Sequence, residues 1–521
     1  MPAIKNKTSI LALLLALSAA PAAAGVVAVY HTSDVHGWYF ARPAAWDNDN
    51  PKRLIGGFAA FAAHLKKETT PYILLDSGDM FQGTPEGIFT KGQASAVLMN
   101  QLGYAAAAPG NHDFDYGESA LRALAAEANF PVLAANIYLK IGEDMRPEYL
   151  KPYTVIEKAG RKIAVLGLAG KHTATSTRPE NVKHLDFRDE AATAAKLIPE
   201  LKAQGPDAVI VLAHWGLDEA ISLKRIDIST WTFAPDTAGT LQVARAVPGI
   251  DLILGGHDHT ALINGYRDPV SGTWFGESGY GLSYVTRAEL DFDDETGKLR
   301  GVKVDSVPLW TDVTGEDAAV KATVAGFAAS VEAAMGQVIG RAGGDLKFSP
   351  EGLDSSIGNL LCDLTREAAG TDMAFHNTKA IRAEIKKGKV KLRHLYQAFP
   401  FDNNIITMRL SGAQIMRLIA DNVAGGNSYI QVSGLEVAFR PGPDGKAAGI
   451  RLTREGKEIK ADDVFTVATN DYLAFGGNGG DAFAGGTDIK NTMLPVRDLM
   501  EHAFKKGKVK PPKTGRISRI K

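Results

Sequence analysis

Pro109-Gly110-Asn111-His112-Asp113-Phe114-Asp115 is the stretch around which the chain is organised. The small apolar run 105–108 leads into it, and a helical pattern at 118–128 leads out. One Asn, one His and two Asp therefore fall on the loop that leaves a strand. In an α/β enzyme, ligands and catalytic groups gather at the carboxyl ends of the strands. Alone, an Asn-His-Asp tripeptide says little, because such side chains often satisfy turn backbone. Its weight depends on whether other strands deliver matching chemistry to the same edge.

On either side, short apolar runs alternate with helical patterns. Strands are expected at 26–30, 72–75, 131–135, 163–168, 208–213 and 250–254, with helices at 57–68, 94–102, 120–128 and 188–204. This alternation implies βαβ units and a central, largely parallel sheet with both faces covered. Residues 283–292 and 301–307 alternate and read as an antiparallel edge pair turned at Asp293-Asp294-Glu295-Thr296-Gly297. A helix is expected at 318–338, with Val320, Val324, Phe327, Val331 and Met335 at helical spacing. Beyond Gly340 the order changes to a mixture of helices (357–369, 412–422, 494–505) and strands (373–376, 405–410, 434–439, 464–469), an α+β arrangement. The division expected is a signal peptide at 1–24, a catalytic domain at 25–315, a linker helix at 316–340 and a substrate-binding domain at 341–521.

With 521 residues, 45% hydrophobic and 22% charged, the chain can bury a sizeable core. Its net charge of −1 argues against a dedicated partner of nucleic-acid polymers or membrane surfaces. Lys5 and Lys7, the apolar run 10–20 and Ala22-Ala23-Ala24 read as a secretory signal cleaved after Ala24. No later run reaches the roughly 18 apolar residues of a spanning helix, so no stable membrane anchor is expected after cleavage. Cys362 is the sole cysteine, which rules out an intramolecular disulfide, and its apolar helical setting makes it a core residue. A secreted chain without disulfides fits a bacterial periplasm. The basic stretch 505–521 reads as a solvated tail. The sequence points to no partner protein.

Five strand ends in the first half release metal-ligand residue types. They carry Asp34-Val35-His36, Asp76-Ser77-Gly78-Asp79, the Asn111 to Asp115 group, His214, and Gly255-Gly256-His257-Asp258-His259. A single strand-end histidine is more often a cap or a core residue, but loops along one sheet edge converge on one crevice. Oxygen and nitrogen donors without thiolate suit Mn, Zn, Fe or Co. The donors are too many for one ion. One carboxylate shared by two divalent ions about 3.5–4 Å apart would account for them, as in two-metal phosphate chemistry. Asp79 sits best for that bridge, because Gly78 before it allows close backbone approach.

Asp34-x-His36, Gly78-Asp79, Gly110-Asn111-His112-Asp113, His214 and Gly256-His257-x-His259 resemble, in order, the five motifs of the calcineurin-like metallophosphoesterases. The resemblance covers about residues 25 to 310 and implies a β-sandwich flanked by helices, followed by a smaller α+β domain. It implies that Asp34, His36, Asp79 and His259 hold one ion, and Asp79, Asn111, His214 and His257 the other. His112 would face the substrate, paired with Asp115, while Asp113 would serve the fold.

In the second half, Asn377-x-x-x-Ile381-Arg382, Pro400-Phe401-x-Asn403, Tyr429-Ile430-Gln431-Val432-Ser433-Gly434 and Ala468-Thr469-Asn470-Asp471-Tyr472 resemble the C-terminal domain of bacterial secreted 5'-nucleotidases. That family includes UDP-sugar hydrolases and 2',3'-cyclic-nucleotide phosphodiesterases. The resemblance implies that Tyr429 and Tyr472 sandwich a base and that Arg382 holds phosphate or ribose, with Asn377, Asn403 and Asn478 also at the substrate. Lys379 stands where the family has glycine. Asn478 takes an aspartate position in ungapped register, whereas a short slip would bring Phe475 and Asp481 there instead. His64, His172, His184, His394 and His502 have no motif partner and read as structural or exposed.

The expectation is a metal-dependent nucleotide phosphohydrolase acting as a 5'-nucleotidase on small-molecule nucleotides. Its rivals are a cyclic-nucleotide 2'-phosphodiesterase with 3'-nucleotidase activity, a UDP-sugar hydrolase and, further off, a sulfur-ester hydrolase. A periplasmic nucleotide- or metal-binding protein without turnover is the non-enzyme alternative.

Overall fold

The computed structural model describes residues 25–520 apart from positions 45, 48, 143, 219–224, 350, 425 and 443–445. The expected signal segment lies outside the described residues. Five strands matter most to the site: β1 (Val26–Thr32), β2 (Tyr72–Asp76), β3 (Ala106–Ala107), β4 (Ala208–Ala213) and β5 (Leu252–Gly255). β4 is buried at every residue, as a strand covered on both faces should be.

Alternate side chains along a strand go to opposite faces, and here each face meets a different core. Val27 and Val29 enter a layer shared with Ile163, Val165, Ile210 and Leu252. Ala28 and Tyr30 meet Phe58, Phe61 and Leu98 from the helices Phe58–Leu65 and Gln93–Leu102. On the far side Ala164 and Leu166 meet Leu197, Ile198 and Leu201 of the helix Glu190–Ala203. The outcome is four layers: helices, sheet, sheet, helices. The first sheet has 7 strands, with β1, β2 and β3 adjacent and parallel, and the hairpin Tyr284–Phe292 and Leu299–Pro308 antiparallel beside β1. The second has 6 strands, with β4 parallel to β5 on one side and to Arg161–Leu168 on the other. The single parallel sheet expected from alternation is thus two stacked sheets. An apolar strand face reads alike whether a helix or another sheet covers it.

The helix Ala318–Met335 follows, and its Val320 and Val324 belong to the first core. Beyond it, a 5-stranded sheet runs Ile430–Ser433, Met373–Asn377, Val464–Asn470, Asn404–Ser411 and Thr487–Pro495. The helices Ser356–Ala369 and Val496–Lys506 cover one face, with Cys362 fully buried among them. The basic C-terminal stretch is not a free tail. Lys508–Val509 pairs with Val338–Ala342, Ile517–Arg519 pairs with Glu436–Pro441, and Arg516 binds Asp363 at 2.7 Å. Val509 and Ile517 are buried while the lysines stay exposed, so the charges line the outer face of short strands.

Leu212 is fully buried between the two sheets. Leu212→Ala is expected to lower stability by about 2–5 kcal/mol, read as a drop in the urea midpoint. The exposed change Lys457→Ala should leave that midpoint unmoved.

Candidate active site

The carboxyl ends of the five strands meet at one edge of the sandwich, and the backbone there is unusual. Asp34, His36, Asp79, His257 and His259 all have φ between 49° and 73°. A non-glycine residue in this region costs roughly 1–3 kcal/mol and persists only where surrounding contacts fix it. Gly78, at φ 92°, lets two loops touch: a Cβ there would lie 2.2 Å from the Gly110 nitrogen. Asp113 ties the same loops, accepting from the backbone N–H of Asp79 at 2.9 Å, Met80 at 2.9 Å and Gly110 at 2.8 Å. Asp34 accepts from the backbone N–H of His257 at 3.0 Å, which joins β1 to β5 across the sheets.

Two ligand groups result, Asp34 with His36 and His259, and Asp79 with His214 and His257. His36 and His259 approach through their Nε2 atoms at 3.1 Å, each 3.6–3.9 Å from Asp34 Oδ1. Asp79 Oδ2 lies 3.6 Å from His36 Nε2 and 3.2 Å from His214 Nε2, so one oxygen faces both groups. Asn111 Oδ1 is 2.9 Å from His257 Nδ1. The Nδ1 atoms of His36 and His214 face the carbonyls of Gln82 at 2.6 Å and Ser77 at 2.5 Å, which leaves Nε2 free to bind a cation. His214 is fully buried, and its Nε2 faces the Asp79 carboxylate. Burial holds the pKa of His36 near 3 and those of His257 and His259 well below the usual value, as neutral ligands require. Burial also works to lower His214, but Asp79 reverses this and pushes it up to about 10. That pocket favours a positive charge, and the donor set fits two divalent ions.

His112 stands beside these groups. Its Nδ1 pairs with Asp115 Oδ2 at 2.8 Å, and its backbone N–H donates to Asp79 Oδ1 at 2.8 Å. Burial opposes protonation of His112, but Asp115 and Asp79 outweigh it and hold the pKa above the ordinary value. From the C-terminal half, Arg382 Nη2 donates to His112 Nε2 at 3.2 Å, and Phe401 lies 5.5 Å from the imidazole, centroid to centroid.

The two halves enclose a cleft of about 1780 Å³ lined by His112, Arg382, Asn377, Asn403, Tyr429, Tyr472 and Asn478. Tyr429 has its backbone pinned by Thr378 N–H and Asn422 O, both at 2.8 Å, while the residue is 44% exposed and lines the cleft. Tyr472 lies on the short helix Asp471–Ala474, capped by Asn470, and its hydroxyl accepts from Asn478 N–H at 3.0 Å. Asn377 accepts from Asn470 at 3.0 Å, and the Asn403 amide donates to Asp471. The ungapped register brings Tyr472 and Asn478 together, whereas Phe475 and Asp481 are exposed and do not line the cleft. Lys379 lines it too, with an exposed side chain.

The histidine expectation needs one correction. His172 lines the cleft and lies on His257, with ring centroids 4.1 Å apart. A signal existed, since Leu168 pairs with Ala213 and His172 follows that strand to the same edge that releases His214. Tyr280, 4.6 Å from the His259 ring, comes from a loop with no motif to announce it.

Residues 27–261 match the calcineurin-like phosphoesterase family, whose members use divalent metals, and residues 338–485 match the 5'-nucleotidase C-terminal domain. The chain is 26% identical over 502 residues to Protein UshA of Yersinia enterocolitica, covering 87% of this chain and 86% of that one. It is 26% identical over 526 residues to a 5'-nucleotidase of Vibrio vulnificus, covering 92% and 90%. The crystal structure of a 5'-nucleotidase precursor from Thermus thermophilus superposes with a TM-score of 0.80 at 25% identity, over 95% of this chain and 99% of that one.

Metal analysis of the purified protein is expected to find about two divalent ions per chain, one for each ligand group. His214→Ala should retain about one, because His214 belongs only to the group with Asp79 and His257.

Proposed function

We propose that this chain, which belongs to the calcineurin-like phosphoesterases that carry a 5'-nucleotidase C-terminal domain, hydrolyses nucleoside 5'-monophosphates to nucleoside and phosphate. Membership makes it a hydrolase; the substrate is read from the cleft. The observation that carries the reading is the place of His112, bound to Asp115 and flanked by Asp79 and Arg382, with two tyrosines of the other half lining the same cleft.

Asp34, His36, Asp79 and His259 would hold one divalent ion, and Asp79, Asn111, His214 and His257 a second, with Mn, Zn, Co and Fe all suited to the donors. Two ions so held supply an activated water and neutralise phosphoryl charge. The chain's own groups do the rest. His112 Nε2 delivers a proton to the ribose oxygen as the P–O bond breaks, and Asp115 fixes the Nδ1–H tautomer. Arg382 takes phosphoryl oxygens; its Nε is buried without a hydrogen-bond partner among the described residues. Tyr429 and Tyr472 stack on the base, contributing about 1–3 kcal/mol and tolerating different bases. Asn377, Asn403 and Asn478 supply polar edges to the nucleoside. A cleft of about 1780 Å³ is larger than a mononucleotide fills, which favours UDP-sugars as the second reading. The site would work in the periplasm, supported by the signal features of residues 1–24. Among the described residues no helix is long and apolar enough to cross a membrane.

Phosphate release from 5'-AMP, 3'-AMP, 2',3'-cyclic AMP and UDP-glucose tests the reading. 5'-AMP should be fastest, chelation should abolish turnover and Mn²⁺ should restore it. Unchanged turnover after full metal removal would sink the mechanism. His112→Asn is expected to lower kcat by about 10²–10⁴, while the exposed change Lys457→Ala leaves it as in the wild type. Tyr472→Ala should raise KM for 5'-AMP by about tenfold.

A further inference from the structure

Three consecutive residues on the cleft wall each reach a different part of the site. The Ser176 carbonyl accepts from Asn111 Nδ2 at 3.0 Å. The Thr177 hydroxyl donates at 2.8 Å to Asp115 Oδ1, the carboxylate oxygen that His112 does not use. Arg178 Nη2 crosses to the C-terminal half and meets Asp471 Oδ2 at 3.3 Å. Asp471 also accepts the backbone N–H of Asn404 at 3.0 Å, and it opens the short helix that carries Tyr472. A little further on, Asn181 Nδ2 donates to the carbonyls of Phe114 at 3.0 Å and Asp115 at 2.8 Å. The segment is therefore clamped to the His112 loop through three residues, Ser176, Thr177 and Asn181, and to the tyrosine platform through Arg178.

Thr177 and Asp471 are buried. Hydrogen bonds to carboxylates are strong, and inside a protein they are weakly screened. A small rotation of Asp115 would turn the imidazole it holds. We infer that Thr177 and Arg178 are positioning residues for the His112–Asp115 pair, through which the docking of the nucleoside platform sets the aim of His112 Nε2. This rests on the nucleotidase reading, in which the leaving group is a ribose oxygen that needs a proton. An ester whose leaving group departs as a stable anion, such as p-nitrophenyl phosphate, needs no such delivery and carries no base.

The test measures kcat and KM for wild type, Thr177→Val, Thr177→Ser, Arg178→Ala, Arg178→Lys and the Val/Ala double variant, on 5'-AMP, UDP-glucose and p-nitrophenyl phosphate. Metal content and urea midpoint are measured on each. Thr177→Val and Arg178→Ala should each lower kcat on the nucleotide about tenfold, the effect of losing one such hydrogen bond. Thr177→Ser and Arg178→Lys should recover most of the loss, and p-nitrophenyl phosphate turnover should fall less than about threefold, since it asks little of a proton donor. The double variant should be no slower than the worse single one, because the two act in one path. Equal losses on nucleotide and p-nitrophenyl phosphate would overturn the inference, as would losses that multiply in the double variant. Wild-type turnover of 5'-AMP tests the nucleotidase reading by itself. The variant ratios test the positioning role, on whichever nucleotide the wild type hydrolyses.

Discussion

One carboxylate oxygen, Oδ2 of Asp79, faces His36 from the first sheet at 3.6 Å and His214 from the second at 3.2 Å. A buried carboxylate with no compensating charge is among the most destabilising features a fold can carry. The irregular geometry of the chain is concentrated around this one. Gly78 permits the contact with Gly110, Asp113 locks the two loops, and Asp79 itself takes a left-handed backbone. Burial works against its ionisation, yet His214 and His112 hold its pKa well below the usual carboxylate range. The stacking of two sheets has a chemical consequence here. Only by bringing two rows of strand ends to one edge can a single oxygen serve donors from both.

The second half of the chain supplies the opposite wall of the cleft, where Phe401, Tyr429 and Tyr472 stand among the polar Asn377, Arg382 and Asn403. Its contacts with the first half include several charged ones. Arg178 meets Asp471 at 3.3 Å, Arg393 meets Glu86 at 3.1 Å, and Arg382 meets His112 at 3.2 Å. Glu86 and Asp471 are buried at these contacts, where charge is weakly screened, so the pairs hold the two walls in a fixed orientation.

The polar edge is legible in the sequence because strand ends are. Val26 to Thr32 and Ala208 to Ala213 are strand runs dominated by apolar residues, and whatever polar residues follow them must emerge at the edge of a sheet. Asp34, Asp79, Asn111, His214, His257 and His259 all follow this rule, and Asp113 reads as structural for the reason the structure gives. His172 obeys it too but escapes notice, because it lacks a motif neighbour. Sheet number is not legible in the alternation, since burial patterns record that a face is covered and not by what; the β-sandwich is legible only through the motif resemblance. Thr177, Arg178 and Tyr280 are silent for a different reason. What places them at the site is contacts between segments far apart in sequence, 62 residues for Thr177 and Asp115 and 293 for Arg178 and Asp471. No local pattern encodes such a pairing. The basic C-terminal stretch misleads because charge density hides two short pairing segments anchored by Val509 and Ile517.

In the proposed mechanism the Arg382–His112 contact would tie substrate recognition to proton transfer. A guanidinium has donors only, so His112 Nε2 must present its lone pair to Arg382, and the imidazole proton must sit on Nδ1 against Asp115. In that state His112 has no proton to give from the side that faces the cleft. A phosphoryl group entering beside Asp79 offers Arg382 a better acceptor, since carboxylate- and phosphate-like oxygens match the guanidinium fork. Under the proposed nucleotidase reading, Arg382 turning to phosphate would release Nε2, and the negative charge of Asp115 and the phosphate would favour its protonation. The same arginine would then recognise the substrate and govern when the proton donor is armed, because one hydrogen bond cannot serve both partners at once.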